Sequence, residues 1–335
     1  MRAGLIENRF PKINMMKLPL VTIGIPNYNY AAFVSHALNA VANQTYGNCE
    51  IIIVDDCSSD NSVEVIENWI KSYKGNFEIT FIKNSFSHGI AKVSNIILNK
   101  AAGKYYQILD ADDVILPDKI ANQVPIIEGS EKCAVVYSNI GEINDEGEII
   151  NNDYLKRVGY DQNLMPSGNV FSNLLKFNFI PNPSTLIRTY SAKKIGRYDE
   201  SIFIQDYYIY LSLSEHFDFI YQNDVTAYYR LHGTSLSNNN HKSAARISEG
   251  VLMLLQRYYK KSCANCPDEN AKFKAQFKNN VFNMAPYFYK HDYPTAKYWL
   301  VQNFRLNPGI RSLAYLIAFS LRFPYSLIEK VKSLL

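Results

Sequence analysis

The N-terminal part of the chain alternates short apolar runs with segments of helical periodicity, and this alternation constrains the fold more than any other feature. Residues 21–25, 50–54, 77–82 and 105–109 are rich in Val, Ile, Phe and Tyr and predict strands. Apolar residues recur at helical spacing between them, for example Val34, Leu38 and Val41, and residues 90–100 predict a third helix. Farther along the chain, residues 219–221 and 225–229 predict two short strands. Strands that alternate with helices usually pair in parallel through right-handed crossovers. We therefore predict an α/β fold with a Rossmann-like, mostly parallel sheet flanked by helices.

The sequence predicts three successive parts. Residues 1–17 form an N-terminal extension without the apolar run of a signal peptide. Residues 18–238 form the α/β domain, and residues 239–335 form an all-helical C-terminal region. A polar stretch with three consecutive asparagines before residue 241 marks the predicted boundary. The sequence has no uninterrupted apolar run of about 18 residues, the length that a membrane-spanning helix requires.

Charge and cysteine content narrow the class of partner and the compartment. The formal net charge of +4 is small and is not concentrated in one block, so we expect no nucleic-acid partner. The five cysteines are odd in number and scattered, which is typical of a reducing compartment, and we expect a cytoplasmic protein. Cys263 and Cys266 form a CxxC pair without a second ligand pair, so we interpret them as structural.

Acidic residues follow two of the predicted strands directly. Asp110, Asp112 and Asp113 come after the strand at 105–109, and three carboxylates so close together repel one another unless a cation compensates them. Mg²⁺ and Mn²⁺ prefer oxygen ligands and are commonly shared between carboxylates and substrate phosphates. The alternative is a solvated turn or a helix N-terminus, which aspartate also favours. Because ligands bind beyond the carboxyl ends of parallel strands, the position favours the cation site.

Asp55 and Asp56 follow the strand at 50–54. A carboxylate at this edge can accept a hydrogen bond from a nucleobase or a ribose hydroxyl. The alternative role is capping of the next helix, but Ser59, Asp60 or Asn61 could provide that cap. We therefore favour ligand binding for Asp55.

Three motifs, in this order, closely resemble the signature of glycosyltransferase family 2: Ile25-Pro26-Asn27-Tyr28-Asn29, Val54-Asp55-Asp56-Cys57-Ser58-Ser59-Asp60 and Leu109-Asp110-Ala111-Asp112-Asp113. The resemblance covers residues 18–235 and implies a GT-A fold and the transfer of a sugar from a nucleotide diphosphate to a hydroxyl, with inversion. The donor-binding residues that it implies are Pro26, Tyr28, Asn29, Asp55, Ser58, Lys92, Asn95, Asp110 and Ala111. In the family pattern Asp55 would face the base, usually uracil, Asp110 would contact the ribose or sugar, and Asp112 would hold the metal.

Two segments depart from the family pattern. Many members have Ala-Arg-Asn where this chain has Val93-Ser94-Asn95, and Lys92 is the cation that would replace the arginine. The family often has Glu-Asp before the helix that carries its catalytic base, whereas this chain has Gln205-Asp206. By the resemblance, Asp206 is the base that takes the proton of the acceptor hydroxyl. From the residues alone, an acid at the start of a helix is better explained by the helix dipole, and the resemblance reverses this interpretation.

Three further positions are assigned by the resemblance. His232 lies in a segment that closes over the donor diphosphate in the family, and it is a candidate second metal ligand beside Asp112 or a phosphate contact assisted by Arg230 or Ser235. The alternative is a surface histidine. Asn182 and Ser184 lie in a region that faces the acceptor in the family. The implied cofactor is therefore Mg²⁺ or Mn²⁺.

The C-terminal segment 309–335 combines apolar residues with basic ones and is too short to span a bilayer. It would either lie on anionic lipid or pack on the catalytic domain, and the sequence favours neither reading.

The overall prediction is a metal-dependent hexosyltransferase that uses a UDP-sugar and a glycan or lipid-linked glycan acceptor in polysaccharide assembly. It would be cytoplasmic, at the inner face of the plasma membrane if the C-terminal segment binds lipid. The alternatives are a degenerate nucleotide- or glycan-binding protein and a sugar nucleotidyltransferase.

Overall fold

The computed structural model describes residues 18–235, 241–262 and 267–321. It contains a nine-stranded sheet with the order β3-β2-β1-β4-β8-β6-β9-β5, and β7 pairs with β6. The strands are β1 (Val21–Asn27), β2 (Cys49–Asp55), β3 (Glu78–Lys83), β4 (Tyr105–Ile108), β5 (Val114–Ile115), β6 (Cys133–Ile143), β7 (Ile149–Asn151), β8 (Leu186–Arg188) and β9 (Asp218–Arg230).

The first four strands form a parallel half-sheet with β1 at its centre, as the sequence predicts. Three helices connect them: α1 (Val34–Ala42), α2 (Ser62–Ser72) and α3 (Ile90–Lys100). Asn27 and Asp55 occupy paired positions at the ends of β1 and β2, so their side chains meet at one edge. Gly24 of β1 is required for the packing of α3, because a Cβ there would lie 2.2 Å from a methyl carbon of Ile97. The parallel half therefore carries the motif-bearing loops to a common edge.

Beyond β4 the sheet is mixed. β8 is antiparallel to both β4 and β6, whereas β6 and β9 are parallel to each other. β6 is buried along its whole length, as expected for a central strand. The two short strands predicted at 219–221 and 225–229 are parts of one strand, β9, whose pairing with β6 shifts register near Asn139.

The helices of the second half pack on this mixed part of the sheet. They are α4 (Lys119–Glu128), α5 (Tyr154–Arg157), α6 (Phe171–Leu174), α7 (Thr189–Lys194) and α8 (Gln205–Ser214). α8 is almost entirely buried, with only Asp206 partly exposed among its residues. Hydrophobic clusters cover both faces of the sheet, one including Val54 and Tyr106 and the other Ile23 and Ile53. The predicted α/β fold with flanking helices is confirmed.

A buried lysine joins three elements beneath the sheet edge. Lys119 of α4 donates hydrogen bonds to Gln107 Oε1 (2.7 Å), Gln123 Oε1 (2.8 Å) and the carbonyl oxygen of Thr185 (2.9 Å). The two glutamine amides in turn donate to the carbonyl oxygens of Pro183 and Ser184. This network holds the short 3₁₀ helix Asn182–Ser184 against β4 and α4.

The C-terminal region consists of helices α9 (His241–Ser262), α10 (Pro267–His291), α11 (Tyr293–Leu306) and α12 (Ile310–Ser320). They share their own apolar cluster, which includes Phe277 and Trp299, and α9 also packs Leu254 and Tyr258 into the cluster of the α/β domain. No helix in the described part of the chain is long and apolar enough to cross a bilayer. The predicted extension at 1–17, the boundary at 238, the CxxC pair and the basic residues beyond 321 lie outside the described residues.

Candidate active site

The ends of β1 and β2 are joined by hydrogen bonds around a buried carboxylate. Asp55 Oδ2 accepts from Asn27 Nδ2 (2.8 Å) and from Ser58 Oγ (2.6 Å), and Asp55 Oδ1 accepts from the backbone N–H of Ser58 (2.9 Å). Asn27 Oδ1 is buried and has no partner among the described residues. Two of the predicted donor residues, Asp55 and Ser58, therefore organise this edge by bonding to each other.

The loop after β1 bonds to the loop after β2 through Asn29. The backbone N–H of Asn29 donates to Ser58 Oγ (2.9 Å), and Asn29 Oδ1 accepts from the backbone N–H of Ser59 (2.7 Å). Asn29 has φ of 58°, a left-handed conformation that asparagine tolerates better than most residues. Pro26 is buried in β1, whereas Tyr28 is exposed beside the loop. The two loops are thus preorganised, with the Tyr28 ring facing solvent.

The Asp56 carboxylate binds the loop that follows β3. The carboxylate accepts hydrogen bonds from the side chains of Asn84 and Ser87 and from the backbone N–H groups of His88 and Gly89, at 2.8–3.0 Å. Burial raises the pKa of Asp56, but these hydrogen bonds outweigh it and leave the pKa below its usual value. Asp56 is therefore a structural carboxylate that positions the loop before α3.

The second acidic motif forms a tight turn after β4. The backbone N–H of Asp113 donates to the carbonyl oxygen of Asp110 (3.0 Å), and Ala111 between them is buried. Burial and then the negative charge of Asp112 raise the pKa of Asp110 to about 7, and Asp206 adds to this rise. Burial and the charges of Asp112 and Asp110 raise the pKa of Asp113 well above its usual value. The turn concentrates negative charge at one point of the edge.

His232 meets Asp112 in this turn, as the sequence predicts for the two candidate metal ligands. His232 Nε2 lies 3.0 Å from Asp112 Oδ2, and its Nδ1 lies 2.8 Å from Thr234 Oγ1. The imidazole packs against the rings of Phe33, at 4.5 Å between centroids, and Tyr30, at 5.6 Å. Asp112 and His232 are both buried, so His232 is not a surface histidine.

Tyr30 and Arg230 complete this part of the site. Burial, the charges of Asp112 and Asp110 and a hydrogen bond to Asp112 raise the pKa of Tyr30. Arg230 Nε donates to the carbonyl oxygen of Asp112 (2.9 Å), and its backbone N–H donates to Asp113 Oδ1 (3.0 Å). A cleft of about 660 Å³ opens beside these residues and is lined by Tyr30, His232 and the two loops after β1 and β2. Sequence reasoning missed Tyr30, although it directly follows the first motif.

Asp206 lies in the N-terminal turn of α8 and is partly exposed. Asn178 Nδ2 is 3.4 Å from Asp206 Oδ2. Burial raises the pKa of Asp206, and hydrogen bonds from its own turn and from Asn178 partly oppose this rise. The charge of Asp206 also contributes to the raised pKa of Asp110, so the predicted base lies within electrostatic reach of the acidic turn.

Asn182 connects the acidic turn to α8. Its Nδ2 donates to Asp110 Oδ2 (3.0 Å), and its Oδ1 accepts from the Tyr210 hydroxyl (3.0 Å), which sets the orientation of the amide. Ser184 is fully buried, and its hydroxyl donates to the carbonyl oxygen of Pro181 (2.7 Å). The two residues that the sequence assigns to the acceptor side thus point in different directions, and only Asn182 faces the site. Tyr210 was missed because its partner is distant in the chain.

The predicted donor residues on α3 contact the segment before α8. Asn95 is buried and bonds the backbone of Tyr198 through both of its amide atoms, at 2.9 and 3.0 Å. Lys92 pairs with Glu200 at 3.2 Å, with both side chains about half exposed. In this arrangement both residues tie α3 to the region that precedes Asp206.

The chemistry of the acidic turn and His232 suits a hard divalent cation. The charge of Asp112 contributes to the raised pKa of Asp110, and an imidazole nitrogen of His232 lies in contact with the Asp112 carboxylate. Within the described ranges, however, no three His, Cys, Asp or Glu side chains are grouped closely enough to form a metal site by themselves. A cation here would therefore take part of its ligands from substrate or water.

Known proteins resemble this chain in sequence and in fold. Residues 22–196 match the profile of "Glycosyl transferase family 2". The Escherichia coli UDP-Glc:alpha-D-GlcNAc-diphosphoundecaprenol beta-1,3-glucosyltransferase WfaP is 32% identical over 232 residues, which are 69% of this chain and 85% of that protein.

Two solved structures share the fold at low sequence identity. The mannosyltransferase PcManGT from Pyrobaculum calidifontis, in complex with GDP-Man and Mn²⁺, has a TM-score of 0.59 at 16% identity, with coverage of 95% of this chain and 85% of that one. S. aureus TarS 1-349, in complex with UDP-GlcNAc, has a TM-score of 0.53 at 14% identity, with coverage of 85% and 88%. These matches confirm the GT-A fold, and the chain belongs to glycosyl transferase family 2.

Proposed function

We propose that this glycosyltransferase transfers a sugar from a UDP-sugar to an acceptor hydroxyl with inversion at the anomeric carbon. The observation that carries the proposal is the link between the acidic turn and α8: Asn182 bonds both Asp110 Oδ2 and the hydroxyl of Tyr210, one helical turn after Asp206. A candidate cation ligand and a candidate base thus lie near each other. That is the minimum set for a one-step displacement of a diphosphate by a hydroxyl.

Asp112 and His232 would hold Mg²⁺ or Mn²⁺ together with the donor diphosphate. Asp112 Oδ2 and His232 Nε2 lie 3.0 Å apart, so an oxygen and a nitrogen that could serve as ligands are side by side at the acidic turn. The cation, when bound, supplies positive charge that stabilises the leaving nucleoside diphosphate.

Asp206 would act as the base. Its carboxylate takes the proton of the acceptor hydroxyl while that oxygen forms a bond to the anomeric carbon, and the bond from this carbon to the diphosphate oxygen breaks. A single displacement inverts the configuration. Asn178 and the first-turn backbone N–H groups of α8 orient the Asp206 carboxylate. Asn182 holds Asp110 in place for the donor ribose or sugar.

The donor nucleoside would lie against the loops after β1 and β2. The unpartnered Asn27 Oδ1 and the remaining lone pairs of Asp55 are acceptors for the N–H of a base or a ribose hydroxyl. The relatives use different nucleotides by name, UDP in WfaP and in the TarS complex and GDP in PcManGT. We choose UDP because WfaP, at 32% identity, is more similar in sequence to this chain than PcManGT, at 16%.

The acceptor would be a glycan on a lipid diphosphate, as the name of WfaP describes for that enzyme. The fold offers a surface for contact with such a lipid at the membrane. Ile310, Leu313, Ile317 and Leu321 are exposed at helical spacing on and beside α12, while Tyr315 and Phe319 of the same helix are buried. From residue 293 onward the sequence has one acidic residue, Glu329, and the basic residues Lys297, Arg305, Arg311, Arg322, Lys330 and Lys332. This composition favours an anionic lipid surface.

The proposal is tested with an Asp206→Asn variant. Wild-type protein should release UDP from a UDP-sugar in the presence of Mn²⁺ and acceptor, and EDTA should stop the release. Asp206→Asn should lower kcat about 10²–10⁴-fold while the affinity for UDP stays unchanged. Glu146→Gln, at an exposed acid in the turn between β6 and β7, is the matched control and should behave as wild type.

Two results would contradict the proposal. Unchanged turnover in Asp206→Asn would exclude Asp206 as the base. Binding of UDP by the wild-type protein without any transfer, across a panel of UDP- and GDP-sugars and glycan acceptors, would instead identify a nucleotide-binding protein that has lost catalysis.

A further inference from the structure

A stacked pair of aromatic rings includes one exposed ring, on the residue directly before Asn178, whose side chain contacts Asp206. Phe177 and Tyr160 stack with 5.7 Å between ring centroids and 24° between ring planes. Phe177 is 44% exposed although it is one of the larger apolar side chains in the chain. The sequence motifs do not include either residue, and the roles assigned above leave both rings unused.

The pair is connected to the candidate base through the next residue. Asn178 follows Phe177, and its Nδ2 lies 3.4 Å from Asp206 Oδ2. Asn178 Oδ1 accepts from the backbone N–H of Ile180 (3.3 Å), so the amide group is oriented with its N–H₂ toward Asp206. Phe177 is therefore the chain neighbour of a residue whose amide contacts the carboxylate that would receive the acceptor proton.

The rings are held rigidly from behind. Tyr160 also packs on Phe179, at 6.4 Å between centroids, and Phe179 is buried against Tyr137. The backbone N–H of Tyr160 donates to the carbonyl oxygen of Leu155 at 2.8 Å. A platform that is already ordered costs little conformational entropy when a ligand binds to it.

A third aromatic residue lies in the same segment. Burial raises the pKa of Tyr154, and the charge of Asp206 contributes to the rise, so Tyr154 is within electrostatic reach of Asp206. Arg157 lies over the Tyr154 ring at 5.2 Å and pairs with buried Glu142 at 2.6 Å. The segment that carries Phe177 and Tyr160 thus combines aromatic rings with polar side chains.

This mixture of surfaces selects a particular kind of ligand. A pyranose has an apolar C–H face that can lie on an aromatic ring and hydroxyls at its rim that require hydrogen-bond partners. An alkyl chain would cover the rings but would leave the Asn178 amide and the Asp206 carboxylate desolvated without partners. A ring stacked on Phe177 would direct a rim hydroxyl to Asp206.

We propose that Phe177 and Tyr160 form the platform on which the acceptor pyranose stacks, with Asn178 binding its rim. The inference rests on the proposed function and moves the acceptor subsite from the residues that the sequence indicates. Ser184 is buried and bonded to its own 3₁₀ turn, and Asn182 is bonded to Asp110 and Tyr210, so neither offers a surface to an acceptor sugar. The segment 154–178 provides that surface.

The test compares Phe177→Ala, Phe177→Trp and Tyr190→Ala with wild type. Tyr190 on α7 is the matched control, because it is an aromatic residue with 67% exposure whose contact is Lys194, outside the cleft. The acceptor is the best substrate among p-nitrophenyl pyranosides and alkyl-diphosphate-linked N-acetylglucosamine. The measurements are the acceptor KM, the donor KM and the slow hydrolysis of the donor in the absence of acceptor.

Phe177→Ala should raise the acceptor KM about tenfold, which corresponds to the loss of one good ring contact. Its donor KM and acceptor-independent hydrolysis should stay at wild-type values, because the donor side is untouched. Phe177→Trp should remain within about threefold of wild type, and Tyr190→Ala should be unchanged.

The failure of this inference differs from the failure of the proposed function. If wild type transfers sugar and Phe177→Ala has an unchanged acceptor KM, the platform is refuted and the glycosyltransferase proposal stands. If the donor KM rises together with the acceptor KM, Phe177 acts on the whole site and not as an acceptor platform. If wild type transfers no sugar to any acceptor of the panel, both proposals fall.

Discussion

Replacement of Lys119 by methionine should destabilise the protein markedly. Lys119 is 1% exposed, and its amine is surrounded by the side-chain oxygens of Gln107 and Gln123 and the carbonyl oxygen of Thr185. Methionine fills a similar volume but cannot donate a hydrogen bond. The Lys119→Met variant therefore leaves three buried oxygen acceptors without their donor.

The size of the effect follows from that count. A buried acceptor that loses its donor costs about 1–3 kcal/mol, so three of them would cost at least about 3 kcal/mol. Removal of the buried positive charge offsets part of the sum, because the desolvation of an ammonium opposes folding. We expect a net loss of about 3 kcal/mol in the free energy of unfolding and a fall in Tm of roughly 5–10 °C.

Urea denaturation followed by tryptophan fluorescence and circular dichroism measures this loss. The control is Lys193→Met, since Lys193 is exposed and makes one hydrogen bond, at 3.0 Å, to the carbonyl oxygen of Ala101. The control should change the unfolding free energy by less than about 0.5 kcal/mol. An unchanged or higher urea midpoint for Lys119→Met would refute the reasoning, because it would mean that charge desolvation outweighs all three hydrogen bonds.

The same variant gives a pH dependence of known sign. Burial lowers the pKa of Lys119 in the folded protein, so between that pKa and the unfolded value of about 10.4 the unfolded chain binds the extra proton. The amine carries its charge and all three hydrogen bonds only below that pKa, and above it the stability of wild type relative to Lys119→Met should rise as the pH approaches 10. A difference that shrinks over this range would contradict the burial effect.

Four further outcomes are expected. Because hydrogen bonds hold the pKa of Asp56 below its usual value, its stabilisation is present above about pH 4 and is lost as the pH falls below it, so urea midpoints of Asp56→Asn should depend less on acid pH than those of wild type. Tyr210→Phe frees the amide that holds Asp110 and should lower kcat roughly 3–10-fold with little change in donor KM, measured by UDP release. His232→Ala should raise the Mn²⁺ concentration for half-maximal activity about 10–100-fold, and an unchanged requirement would exclude it as a ligand. Ile317→Asp should weaken co-sedimentation with anionic phosphatidylglycerol vesicles roughly tenfold, whereas Leu164→Asp, at another exposed apolar residue, should not.

The parallel half of the fold was accessible from the sequence because its signals are local. Helix α3 spans Ile90–Lys100 as its periodicity predicts, and β2 extends the predicted run by one residue at each end. Strand β9 was predicted as two strands, since the polar residues Gln222–Asp224 interrupt its apolar pattern. The strand is continuous because it pairs with β6, in which Cys133 is the partner of Asp218 although it lies 85 residues earlier in the chain. Local periodicity cannot predict a pairing between residues so far apart.

The sequence predicted the motif residues of the candidate site but not the residues that reach it through contacts between distant parts of the chain. The meeting of Asp112 with His232 follows from the family pattern and the strand ends, and the structure brings the two together. The directions of Asn182 and Ser184 depend on the rotation of a three-residue 3₁₀ helix, which sequence spacing does not define. Asn178 and Tyr210 were missed because each contacts a site residue 28 positions away and belongs to no motif.

Strand β4 has a consequence for how such enzymes diversify. It pairs in parallel with β1 on one side and antiparallel with β8 on the other, so the loops that would hold the nucleotide and the segment that carries Phe177 and Tyr160 belong to opposite halves of the sheet. Mutations in one half leave the hydrogen-bond ladder of the other intact. A lineage can thus acquire new glycan linkages while it keeps the activated sugar that its metabolism already makes, and exchange of residues 152–181 between homologues is the corresponding engineering step.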